Sequence, residues 1–406
     1  MRMLSLLLGA VLMGATATGQ QSGKVTGSGT IEYLQNDKLV PIPITIQSID
    51  QEIDTIVKRA FRLHGGFNMV ATNQADFTLR FVKRSGSTVL LTILQNRNGG
   101  SPQSFPVKGR DIRHAALLAA DIAVEKITAR PGFFAGKMVF VSHTGKIREL
   151  YTSDLFFQGF DKLTSHRYQV VAPDWSPDGS KIMYSSNHKG GLDIYMLDVA
   201  SKVSSPIARY RGQNLGAVFG PHGRRAAMIL NRELFIQSAI LNPNSKPERI
   251  TRNRSAETSP TWSPNGRQLI VSSDVQGGGK LYEVILAGRN LGRLRPITTT
   301  IKSREMTEPS WNPLESNLIA FSASIQGYSQ IAIHDLKTGK SELLSSNTND
   351  EGPCWTNDGR HLLFSSQRGG KHQLKILDTW TNTRKELHVQ KGVSFSSPDF
   401  VYPNLR

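Results

Sequence analysis

A single cysteine, Cys354, occurs in 406 residues, so neither an internal disulfide framework nor a cysteine-based zinc site can be built. Beyond residue 17 no stretch is apolar enough to span a bilayer. The patterns G-x-S-x-G and H-E-x-x-H, the P-loop and the EF-hand loop are all missing. With them go a hydrolase nucleophile elbow, a zinc-protease helix, a nucleotide cradle and a calcium loop. Gly27-Ser28-Gly29 lacks the strand–turn–helix setting of a dinucleotide site. No run of five basic residues occurs either, although Lys and Arg number 49 against 32 Asp and Glu, a net charge of +17. The excess is spread along the chain. It reads as a solvated basic surface, or as a broad field favouring anionic partners, and not as a nucleic-acid arm.

Residues 1–17 differ from the rest. Arg2 precedes an apolar stretch at 4–13, and Ala15-Thr16-Ala17 follows with the small-residue pattern of a cleavage site. This predicts a secretory signal peptide over residues 1–19, too short in its apolar part to cross a membrane. A soluble exported protein is expected, which weighs further against nucleic acid as a partner.

A repeat organises the last two thirds. Pro173-Asp174-Trp175-Ser176-Pro177-Asp178-Gly179 returns as Pro260-Thr261-Trp262-Ser263-Pro264-Asn265-Gly266, Pro309-Ser310-Trp311-Asn312-Pro313 and Pro353-Cys354-Trp355-Thr356-Asn357-Asp358-Gly359. Degenerate copies surround Phe219 and Phe400. The six aromatics are spaced by 44, 43, 49, 44 and 45 residues. After each turn comes a strand such as 181–186, 268–273, 317–322 or 361–366. A second, alternating strand and a short outer one follow. Four strands per unit of about 44 residues is the period of a β-propeller blade, with the aromatic packed between blades. The sixth copy stops after one strand. Residues 136–142, 148–152 and 162–164 match its missing strands, so the ring is expected to close by pairing both ends of the propeller segment.

Residues 20–133 lack the repeat and predict a small α/β domain. Apolar residues at 49, 53, 56, 57, 60 and 63 make a helical stripe, 75–82 and 88–94 a hairpin, and 111–129 a second helix. Pro41 and Pro43 mark 40–46 as an edge strand. The fold class is therefore α+β and multidomain: an α/β domain, a short link, then a six-bladed propeller over 136–406.

The signal peptide, the small α/β domain, the helix running into Phe133 and Lys137-Met138-Val139-Phe140-Val141, and the P-x-W-S-P-D-G repeats together resemble the TolB family of periplasmic propellers. Thr128-Ala129-Arg130 departs from the family's Leu-Thr-Gly link, and Phe219 replaces a repeat tryptophan. The resemblance implies a non-catalytic periplasmic monomer of the Tol–Pal system with no cofactor or metal. It implies binding of the peptidoglycan-associated lipoprotein Pal at the propeller mouth and of the inner-membrane protein TolA through the N-terminal arm. It further implies support of envelope integrity and of outer-membrane constriction at division. The expected mouth residues are His166, Arg167, Asn214, Arg254, Glu257, Thr258, Arg304, Glu308, Asp350 and Glu351. Those of the arm are Gln20, Gln21, Ser22 and Lys24. The rival class is an exported propeller enzyme, a hydrolase or a metal-dependent lactonase-like protein using Glu257, Glu308 and Glu351. The residues themselves supply no acid–base pair for it.

Overall fold

The structure, a computed structural model, describes residues 40–97, 101–242, 244–345, 348–388 and 392–403. The signal peptide and the arm residues Gln20, Gln21, Ser22 and Lys24 lie outside them. Among the described residues no helix is long and apolar enough to cross a membrane.

The N-terminal part is a five-stranded sheet carrying two helices. Strands β1 (Ile42–Gln47), β2 (Phe67–Met69), β3 (Phe77–Lys83), β4 (Thr88–Gln95) and β5 (Gln103–Lys108) stand in the order β2-β1-β3-β4-β5. Helix α1 (Gln51–His64) starts where Asp50 accepts a hydrogen bond from the Ile53 N–H at 3.1 Å, and it ends on left-handed Gly65. Helix α2 (Ile112–Thr128) starts in the same way on Asp111 and His114. It ends on Ala129 at φ 58°, a conformation that disfavours any side chain. Ile53, Val57, Ala116 and Ala120 close over Ile44, Leu79, Phe81 and Leu91, all buried.

One expectation is corrected here. The strand with Pro41 and Pro43 is not an edge: β1 runs parallel between β2 and β3. Pro43 is tolerated because pairing with β3 begins only at Ile44, so its missing N–H leaves no gap in that ladder.

Six four-stranded antiparallel sheets follow. We number the blades by their inner strands: Val170–Trp175, Asn214–Phe219, Glu257–Trp262, Met306–Trp311, Asn349–Trp355 and Ser394–Val401. The last pairs with Lys137–Thr144, Ser394 opposite His143 and Phe400 opposite Met138, so blade six joins both ends of the propeller segment. The repeat aromatics sit between blades: Trp175 with Val141 and Ile182, Trp262 with Ile229 and Leu269, Trp355 with Ile331 and Leu362.

Three residues before each aromatic, the inner strand carries a residue in the left-handed region: Ala172, Gly216, Ser259, Glu308, Gly352 and Ser397. Each marks a register shift against the second strand of its blade. Neighbouring inner strands are also tied directly. The Trp175 N–H donates to Asp399 and the Phe219 N–H to Asp174, both at 2.7 Å.

The α/β part docks on the face of the ring that carries the repeat turns. Arg360 forms a bidentate pair with Asp378 at 2.7 and 2.5 Å, both side chains buried. Arg130 and Arg360 each lie 4.6 Å from the Trp380 ring centroid, and Arg130 also pairs with Glu315 at 2.5 Å. Asp121 accepts from the N–H groups of Phe134 and Ala135 and from the Tyr402 hydroxyl, fixing α2 to the link and to blade six. The opposite face of the ring is left uncovered by this domain.

Candidate functional site: the open mouth of the ring

The open face is built by two sets of segments. One is the loops entering the six inner strands. The other is the hairpin turns joining second and third strands, at residues 145–146, 190, 231–232, 274–279, 326–327 and 369–370.

Among the expected mouth residues one group is exposed, one is buried and the rest are half-buried. Arg167, Arg254 and Arg304 are exposed. Arg254 and Arg304 form no ion pair among the described residues, so both guanidiniums face solvent unengaged. Arg167 takes φ 59°, and its N–H donates to Glu149 at 2.7 Å. Glu149 is buried beneath it and also accepts from the Thr164 hydroxyl and the His166 N–H. His166 bonds Tyr184 at 2.8 Å and stacks on His188 with centroids 4.0 Å apart. Burial holds its pKa below the usual value, the Glu149 charge notwithstanding.

The buried group lies beneath the rim, against expectation. Glu257 is 0% exposed and accepts from Thr251 at 2.6 Å, Asn253 at 3.0 Å and Ser273 at 3.4 Å. Burial raises its pKa against these bonds. It anchors the loop that presents Arg254 and is not itself a rim charge. Asn214 is likewise 0% exposed, spending its amide on Asp193 and on the Tyr210 carbonyl. Asp350 is buried and accepts from Thr348. Side-chain burial of this kind depends on tertiary partners that strand-start position does not reveal.

Thr258, Glu308 and Glu351 are half-buried. Glu308 accepts from Ser322 at 2.8 Å and from the Gly352 N–H at 2.9 Å, which ties blade four to blade five. The Glu351 pKa is raised by burial and then by the Glu308 charge, and its carboxylate stands 3.8 Å from His372. His372 stacks on His143 at 5.6 Å, and His143 bonds Ser396. Burial, with Arg148 nearby, pushes His143 down to about 4.

The hairpin turns and the strand ends beside them supply residues not anticipated from sequence: His143, His188 and His372, with exposed Lys189, Arg232, Arg368 and Lys371. Their signal was the regular recurrence of Gly-rich turns carrying basic residues. With Arg209, Arg211, Arg252 and Lys302 in the entry loops, exposed cations far outnumber the exposed acids Asp274 and Glu305. Arg209 and Arg232 are paired, with Asp193 and Asp274 respectively.

Among the described residues one group of potential metal ligands converges: His64, Asp358 and His361, all buried on the docked face. It does not fit a metal. His361 Nδ1 bonds Asp358 at 2.6 Å and His361 Nε2 bonds the His64 carbonyl at 2.6 Å, so both ring nitrogens are engaged. The group is a hydrogen-bonded joint between α1 and a repeat turn.

Comparison with known proteins agrees with this architecture. A family model described as the TolB beta propeller domain matches residues 124–399. A Tol-Pal system protein TolB of Bordetella parapertussis is 29% identical over 291 residues, covering 71% of this chain and 65% of the relative. A Francisella tularensis protein of the same name is 28% identical over 295 residues, 69% and 66%. The match thus spans slightly less than two thirds of those relatives' lengths. The crystal structure of TolB from Acinetobacter baumannii superposes with a TM-score of 0.78 at 19% identity, covering 89% of this chain and 96% of that one.

Proposed function

The chain belongs to the family of the TolB beta propeller domain, and from that membership we propose that it is a non-catalytic periplasmic interaction protein of a Tol–Pal system. Its open mouth holds a Pal-like lipoprotein, and its N-terminal arm, with Gln20, Gln21, Ser22 and Lys24, holds a TolA-like inner-membrane protein. Through the two it supports envelope integrity and constriction at division.

The observation that carries the mouth reading is the division of labour in the rim. Arg254 and Arg304, exposed and without an ion pair among the described residues, stand on loops whose Glu257, buried, and Glu308, half-buried, are spent on hydrogen bonds within the ring. A rim of exposed charges on a hydrogen-bonded frame orients a folded partner and sets its association rate. A catalytic pocket needs titratable groups converging on one reacting atom.

The test is calorimetric titration of the soluble domain of a Pal-like lipoprotein into the protein. Arg254→Glu with Arg304→Glu should weaken binding by at least about tenfold, or 1.4 kcal/mol, with the melting temperature unchanged. Wild-type affinity in the double variant would remove the mouth from the interface.

A further inference from the structure

The third blade breaks the period, with 49 residues between its aromatic and the next. Part of the excess lies in the connection 285–293, between strands Lys280–Val284 and Leu294–Pro296. This loop is folded on itself. The Gly292 N–H donates to the Ile285 carbonyl at 2.7 Å, and the Ile285 N–H to that of Arg293 at 3.1 Å. It also leans on blade two. Gly292, at φ +80°, lies so close that a Cβ would stand 1.9 Å from the Ile250 carbonyl oxygen. Only glycine is tolerated there.

Between this loop and the outer strand of blade two runs a groove of about 580 Å³. Arg249, Arg252, Arg289 and Arg293 line it, against one acid, Glu248. Arg249 is paired with Glu233. Arg252, Arg289 and Arg293 are exposed and form no ion pair among the described residues. These three guanidiniums outnumber the single acid of the lining, and an entering anion relieves the repulsion between them. Their planar forks match carboxylates two bonds at a time.

The remaining lining narrows the ligand class. Val275 and Leu291, 43% and 46% exposed, offer aliphatic surface beside the arginines. The one aromatic in the lining, Tyr282, is 1% exposed, so no ring face is presented for a sugar to stack on. Arginine clusters next to aliphatic surface suit a peptide that alternates acidic and aliphatic side chains.

We propose that this groove, which meets the rim at Arg252 and the turn at 274–279 and runs outward to the loop 285–293, binds an acidic peptide segment of a partner protein. The probe is a fluorescent peptide of alternating glutamate and leucine, read by anisotropy with the intact protein at low and high salt. Binding should weaken with salt. It should fall at least about tenfold in Arg289→Glu with Arg293→Glu, and stay within about twofold of wild type in Arg368→Glu with Lys371→Glu, two exposed cations of blade five outside the groove. Arg289→Gln with Arg293→Gln repeats the test without charge reversal, and melting temperatures confirm that each variant is folded. Three results would overturn the proposal. One is undiminished binding in both loop variants. Another is equal binding of the glutamine–leucine peptide. The third is inorganic polyphosphate binding tighter than the peptide, which would make the groove a general polyanion site.

Discussion

The two faces of the ring use the same six inner strands and come out opposite in character. On the docked face the charges are buried and bonded: Arg360 to Asp378, His361 to Asp358, Asp121 to two N–H groups and a phenol. On the open face Glu149, Glu257 and Asp350 are buried, and most of the exposed charges are cations. The first arrangement serves rigidity, because a buried ion that loses its partner is expensive. The second suits the proposed encounter with a partner, because an exposed charge contributes little to stability and much to steering. Mutations should therefore separate the faces by what they damage.

The largest effect is expected at Arg360. Burial drives the Asp378 pKa up, but the Arg360 hydrogen bonds and charge outweigh it and hold the group at about 2. Arg360→Ala leaves that carboxylate buried without its partner, at a cost of about 3–5 kcal/mol. A fall in melting temperature of roughly 5 °C should follow, with binding at the mouth unchanged once the protein is folded. A shift of less than about 2 °C would mean that the docked face is not held this way. The complementary case is the Arg254/Arg304 pair described above, which should lose affinity and keep stability. If that pair loses both, the contrast between the faces fails.

A smaller effect probes the seam where blade six meets blade one. Asp174 and Asp399 are both pushed up by burial, Asp174 further by the Asp399 charge, and Asp399 to about 6. Their folded pKa values exceed the unfolded ones, so the neutral forms are favoured in the fold. That stabilisation is complete below about pH 4 and is lost as the pH rises through about 6. Asp399→Asn should flatten the decline of melting temperature between these limits. Parallel curves for variant and wild type would clear this pair of the role.

The smallest effect belongs to Tyr195, whose buried hydroxyl finds no partner among the described residues. Tyr195→Phe removes an unsatisfied group and keeps the ring near His188 and Tyr184. Stability by urea denaturation should stay within about 0.5 kcal/mol, or rise. A clear loss would reveal a hydrogen bond to water at that hydroxyl.

Much of the ring was legible because its signals are local and repeated. Trp175, Trp262, Trp311 and Trp355 recur with their turns, and the unmatched strand at 394–401 demanded a partner at 137–144. The left-handed inner-strand residues were not legible: only two of the six are glycine, so composition carries no mark of them. The rim was half legible. Position along the strand placed Glu257 and Arg254 together, but Glu257 is turned inward by Thr251, Asn253 and Ser273, the last of them on the neighbouring strand. The proline signal at Pro43 misled, because it reports a missing donor and not which side of the strand lacks a neighbour.

The pairing of residues 394–401 with 137–144 also sets an order of events. The strand at 137–144 waits for a partner roughly 250 positions later in the chain. Closing so long a loop has a large entropic barrier, and topologies of this kind fold on the slow side, in milliseconds to seconds. Until closure, blades one to five can stack on one another while one flank of the arc stays unpaired. Tyr402, which bonds Asp121, arrives with the same late segment. Docking of the α/β layer thus draws on this late segment as well as on blades four and five, through Arg130 and His361, and a chain held short of closure presents an open strand edge to its neighbours.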